Sequence, residues 1–131
     1  MEIVQQVVCL LRSAADHRRL VTYQELHSLF GKNTPRSERY RVLELAIATL
    51  GQPREVDYGA LLSLHNGLPG DEFFARFKGL RRCEYDAVMG MGTCGRSVTR
   101  RRVLASTERA RVFSHAQERR RRLTPVEQNA P

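Results

Sequence analysis

The chain has no tryptophan, few other aromatics and three cysteines in 131 residues. Cys9, Cys83 and Cys94 are odd in number, and none belongs to a Cys-x-x-Cys pair. That pattern argues against a disulfide framework and a zinc finger, and it fits a reducing cytoplasm. No apolar run reaches the length of a membrane span, so no membrane partner is expected. The first residues also lack the basic start and cleavage pattern of a signal peptide. His17, His27, His65 and His115 share no metal-ligand spacing. No convergent set of catalytic groups can be assembled either, so a non-enzymatic protein without a cofactor is expected.

A chain of this length fits one domain with a real core, and 41% hydrophobic content is ordinary for a globular protein. The charge is unevenly placed. Residues 1–95 hold 12 Lys+Arg against 11 Asp+Glu, whereas residues 96–131 hold 10 arginines against 3 glutamates, +7 of the formal +8. Arginine contacts phosphate or carboxylate bidentately, so an acidic partner is expected.

Residues 20–50 carry the densest local signals. Thr22 and Glu25 form a capping box, with Val21 and Leu26 placed to staple it. A short helix over residues 23–30 is expected to stop at Gly31, in a left-handed conformation. After Lys32 and Asn33, Thr34-Pro35 opens a second helix, with proline at the first helical position. Tyr40, Leu43, Ile47 and Leu50 give that helix an apolar stripe and leave Arg36, Arg39, Arg41 and Glu44 on its other sides. A short capped helix, a tight turn and an amphipathic helix with early arginines make a helix-turn-helix pattern. The same signals also describe a helical hairpin with no nucleic-acid role.

Elsewhere, Ile3, Val7, Leu10, Leu11 and Ala14 predict a first helix, with Cys9 just off its stripe as a small packed residue. Residues 58–65 (YGALLSLH) read as a strand, with Leu62 and Leu64 on one side, closed by the Asn66-Gly67 turn. Asp71 is placed to cap a helix whose Phe73, Phe74 and Phe77 fall at core spacing. Residues 81–91 read as a short helical or irregular segment. The glycine-rich loop at 90–95 lacks the Lys-Ser/Thr of a phosphate-binding loop. Cys94 in that loop has Arg96 nearby but no adjacent histidine. Residues 99–123 predict a long helix with Val103, Leu104, Ala110 and Phe113 toward the body and its arginines outward.

Val21-Thr22-Tyr23-Gln24-Glu25, the glycine turn and the arginine-bearing helix resemble the winged-helix domain of the DNA alkyltransferase and alkyltransferase-like family. The family's Pro-Cys-His-Arg motif, and its tryptophan variant, have no counterpart here, so alkyl transfer is not implied. Residues 20–115 are also similar to small stand-alone bacterial and phage proteins. In those proteins the same opening precedes a strand, a Gly-x-Pro-Gly-like turn (here Gly67-Leu68-Pro69-Gly70) and a phenylalanine-rich helix. Both resemblances imply a fold order.

The expected fold is therefore mainly α with a small β-sheet: a winged-helix-like core over residues 1–95, a basic helix over 96–123 and a tail at 124–131. Two functions are carried forward. In the first, the protein binds duplex DNA or another acidic partner through Arg36, Arg39 and Arg41, with phosphate contacts from Arg100, Arg101, Arg102, Arg119, Arg120, Arg121 and Arg122. In the second, it is a phage or mobile-element product that binds and inhibits a nucleic-acid-handling complex, such as a host defence effector.

Overall fold

Helix α1 (Ile3–Asp16) buries Val7, Val8, Leu11, Ala14 and Ala15 along one side. Cys9 falls on the opposite side and is exposed, which corrects the packed position expected for it. The computed structural model describes residues 2–90 and 97–123. Strand β1 (Val21–Thr22) leads into α2 (Tyr23–His27) and α3 (Arg36–Leu50). A 3-10 turn (Tyr58–Leu61) precedes β2 (Leu62–Ser63), and helices α4 (Asp71–Leu80), α5 (Arg82–Met89) and α6 (Val98–Leu123) complete the order. The described chain is mostly helical, with one two-stranded sheet. Its strands pair in parallel, Val21 opposite Leu62 and Thr22 opposite Ser63.

The capping box forms as the sequence predicts. Glu25 N–H donates to Thr22 Oγ1 at 3.0 Å, and Thr22 N–H donates to Glu25 Oε1 at 3.2 Å. Such a cap contributes about 1 kcal/mol, which matters for a helix of only five residues. The exit differs from expectation. Helix α2 ends at His27, and tight turns from Leu29 N–H to Leu26 O and Phe30 N–H to His27 O carry the chain onward. Gly31 is not among the positive-φ residues, so no left-handed cap is used there. Pro35 stands just outside α3 rather than at its first helical position.

Two apolar clusters form the interior. The larger joins α1, β1, α2 and α3 with Val56, Tyr58, Leu61 and Leu62. The smaller gathers Phe73, Phe74 and Phe77 with Ala60, Tyr85, Met89 and Leu104. Helix α6 ties them together: Leu104 belongs to the smaller cluster, whereas Val112 and Ala116 belong to the larger. Each aliphatic side chain fully withdrawn from water contributes about 1.5–3 kcal/mol, so both ends of α6 are anchored. Its buried line is Leu104, Ala105, Glu108, Val112 and Ala116. Val103 and Ala110 face outward, contrary to the stripe read from the sequence, because the buried Glu108 hides the true register.

Residues 58–65 also depart from expectation. Asp57 accepts the Gly59 amide at 2.8 Å and is clamped by both Arg76 Nε and Nη2, at 2.7 and 3.0 Å. That anchor winds the next residues into a 3-10 turn and leaves two residues of strand. Gly67, with φ of 86°, closes the following turn in a region that glycine enters without strain. The glycine-rich loop beyond Gly90, Cys94 and the tail at 124–131 lie outside the described residues.

Candidate nucleic-acid interface

The turn between α2 and α3 is held by Arg39, whose Nε donates to Thr34 O at 3.0 Å and whose Nη2 donates to Gly31 O at 3.1 Å. The same guanidinium lies 5.6 Å from the Phe30 ring centre. Arg39 therefore shapes the turn; its partners are neutral carbonyls, and it has no carboxylate partner among the described residues. Arg36, in the first turn of α3, has no carboxylate partner among the described residues. Its guanidinium lies loosely over the Tyr40 ring at 5.9 Å, near the outer limit of a cation–π contact. Arg41 is neutralised locally, donating from Nε and Nη2 to the two Glu38 oxygens at 3.1 and 2.6 Å. That fork holds the Glu38 carboxyl below its ordinary pKa.

Arg36 and His27 border two adjoining hollows. One, of about 400 Å³, is completed by Thr34 and Arg39. The other, of about 490 Å³, runs past Tyr23, Tyr40 and Leu64 to Glu72. His27 sits between two tyrosines, its ring centre 6.5 Å from that of Tyr23 and 6.2 Å from that of Tyr40, edge-on to the latter. Its Nδ1 is buried without a hydrogen-bond partner among the described residues. Burial, followed by the charges of Arg39 and Arg36, pushes its pKa below the usual 6.5. At neutral pH the site thus presents a neutral imidazole beside two guanidiniums.

The far wall is polar and tightly bonded. Tyr23 donates its hydroxyl proton to Glu72 Oε1 and accepts the Gly70 amide at 2.7 Å. A Cβ on Gly70 would come within 2.8 Å of that hydroxyl, so this approach requires glycine. Burial, then the Glu72 charge, pushes the Tyr23 pKa well above the usual phenol range. Burial also raises the Glu72 carboxyl, against the pull of Arg76, which donates to Glu72 Oε2 at 3.1 Å and continues to Asp57. Beyond Asp57, its backbone amide donates to Glu108 Oε2 at 2.7 Å, and Glu108 also binds Arg81 and Arg111. None of these carboxylates was singled out from the sequence. The available signal was Glu108 in register with Leu104 and Val112, four residues on either side.

The remaining arginines fall into two other places. At the start of α6, Arg100 donates to Met89 O at 2.7 Å and Arg101 pairs with Asp71 at 3.2 Å over the Phe74 ring. Arg102 donates to Asn66 O at 3.2 Å, on the turn that follows β2. At the other end, Arg119 and Arg120 both pair with Asp16 of α1, at 3.0 and 2.8 Å. Arg122 reaches Glu118 only at 3.8 Å, and Arg121 is exposed. A rise of 1.5 Å per residue puts roughly 25 Å between the two groups. The two groups therefore do not form one patch with each other.

Among the described residues, no group of three or more His, Cys, Asp and Glu side chains is placed to hold a metal. No helix there is long and apolar enough to cross a membrane. Comparison of the chain with family models, with curated proteins and with solved structures gives no match in any of the three.

Proposed function

We propose that the protein is a non-enzymatic nucleic-acid-binding protein of winged-helix type that engages duplex DNA through the start of α3. The observation that carries this reading is the pair of guanidiniums, Arg36 and Arg39, that have no carboxylate partner among the described residues at the beginning of a 15-residue helix. A helix N-terminus adds its own positive field, and phosphate contacts at such a site position the helix for groove readout. The order α1–β1–α2–α3 supports the winged-helix assignment. Arg102 at the Asn66 turn and the exposed Arg121 and Arg122 supply outlying phosphate contacts, while Arg119 and Arg120 chiefly hold α6 to α1.

Fluorescence anisotropy with a labelled duplex at two salt concentrations tests this. Affinity should fall steeply with salt, in proportion to the phosphates neutralised. Arg36→Gln should weaken binding to all sequences and lower the salt slope by about 1 if Arg36 contacts phosphate. Salt-insensitive binding, or none, overturns the reading.

A second reading rests on the outward side of α3. Leu45 there is 46% exposed and stands beside Glu44, and an apolar–acidic strip suits a protein surface better than a phosphate backbone. On this reading the protein inhibits a nucleic-acid-handling complex, and Leu45→Ala, rather than Arg36→Gln, abolishes activity in an inhibition assay.

A further inference from the structure

We infer that the cleft between α2–α3 and residues 64–72 is a binding site for one nucleotide carrying an amino-bearing base. The inference rests on the reading above in taking nucleic acid as the partner, and it names what this surface admits beyond a phosphate backbone. The two hollows share Arg36 and His27 and measure about 400 and 490 Å³, within the range of small-ligand sites. A single nucleotide fits that space.

Three chemistries follow one another along the cleft. At one end, Arg36 and Arg39 carry positive charge with no carboxylate partner among the described residues, and Thr34 lines the same hollow. That end takes a phosphate. The middle is aromatic: Tyr40, His27 and Tyr23 lie 6.2 and 6.5 Å apart in sequence of contact, with Leu64 (45% exposed) beside them. Rings and a half-exposed leucine form a wall on which a planar base rests. Arg36, held only by a loose contact over Tyr40, can swing from the ring to a phosphate without breaking an ion pair.

The other end is a carboxylate. Glu72 Oε1 accepts Tyr23 and Oε2 accepts Arg76, and each oxygen keeps a second lone pair. The Tyr23 hydroxyl has already given its only proton. The Glu72 side chain therefore offers acceptors alone, and it matches a base edge with an exocyclic amino group. Adenine, guanine and cytosine carry such a group. Uracil and thymine present carbonyls around a single N–H, and their oxygens would face Glu72.

The test is a titration of the full chain, followed by 15N–1H NMR, with AMP, GMP, CMP, UMP and inorganic phosphate. Amino-bearing nucleotides should shift amides of α2, the first turn of α3 and residues 64–72, and bind at least about 10-fold tighter than UMP or phosphate. Arg36→Gln and Tyr40→Leu should each weaken binding about 10-fold or more. Both positions are at least partly exposed, and unchanged thermal melting shows that the fold is kept. Equal responses to UMP, to phosphate alone and to the other nucleotides overturn the inference, as does absence of any shift at millimolar nucleotide.

A second arm distinguishes the source of the nucleotide. Tighter binding of a duplex with a one-nucleotide overhang than of its blunt form, competed by AMP or GMP, makes the ligand a strand terminus. Nucleotide binding without duplex binding makes it a free nucleotide and removes the duplex reading while leaving this site intact. Salt-steep binding of blunt duplex with no overhang effect and no nucleotide response does the reverse.

Discussion

Glu108 is fully buried near the middle of α6 and serves four donors: the Asp57 amide, both ends of the Arg81 fork and Arg111. An isolated buried carboxylate is costly to desolvate, and only a complete set of partners offsets that cost. Removing it leaves a guanidinium and an amide without their acceptor. Glu108→Ala is therefore expected to lose about 3–5 kcal/mol of stability, read as a shift of the urea midpoint. A loss below 1 kcal/mol would mean that water takes over the Glu108 contacts. Gly70 is a smaller version of the same dependence. Gly70→Ala pushes a Cβ against Tyr23, and an expected loss of about 1–3 kcal/mol would accompany loss of the Tyr23–Glu72 contact in the cleft.

At the level of elements, α2 shows how a short helix is stabilised at its start. Five residues make a poor helix alone, so Thr22→Ala should cost about 1 kcal/mol and loosen the turn that carries Arg39. Amide exchange in α2 and the following turn reports this directly. Helix α6 presents a different case, since its arginines divide into those that tie it to other elements, such as Arg119 and Arg120, and exposed ones such as Arg121 and Arg122. The Arg119→Gln, Arg120→Gln double variant releases Asp16 and should lower stability by about 1 kcal/mol or less. Duplex affinity should fall less than for Arg36→Gln. The opposite ranking would move the interface to the C-terminal end of α6.

At the scale of the whole molecule, two histidines tie stability to pH. His27 and His115 are both lowered from 6.5, first by burial and then by arginines: Arg39 and Arg36 for His27, Arg119 and Arg122 for His115. The unfolded chain therefore binds protons more readily than the folded one just below pH 6.5. Their stabilising contribution is present above the unfolded pKa and is lost as pH falls through the folded values. Glu72 runs the other way, because its raised pKa makes ionisation costly in the folded state as pH climbs above 4.5. Urea midpoints should fall on going from about pH 7.5 to 5.5, and His27→Gln should flatten that decline. A midpoint that rises on acidification in the wild type but not in His27→Gln would show His27 protonated in the fold.

The sequence by itself determined the helical elements with clean local signals. The Thr22–Glu25 box, Val7, Leu11 and Ala14 of α1, Leu43, Ile47 and Leu50 of α3, and the Phe73–Phe77 spacing sit where pattern and propensity put them, because each depends on neighbours within one or two turns; Val8, Ala15, Val42 and Ala46 join the buried set beyond the expected stripes. The arginines at the start of α3 were legible for the same reason. Tertiary structure decided what depends on distant partners. Asp57 and Arg76, 19 residues apart, turn an apparent strand into a 3-10 turn. Arg81 and Glu108 make a charged residue part of the core and thereby shift the buried line of α6. Asp16 takes up Arg119 and Arg120 across the molecule. An arginine without a carboxylate and a paired one look alike in sequence: Arg41 is set apart from Arg36 by its local pair with Glu38, and Arg102 and Arg120 by long-range contacts to Asn66 and Asp16.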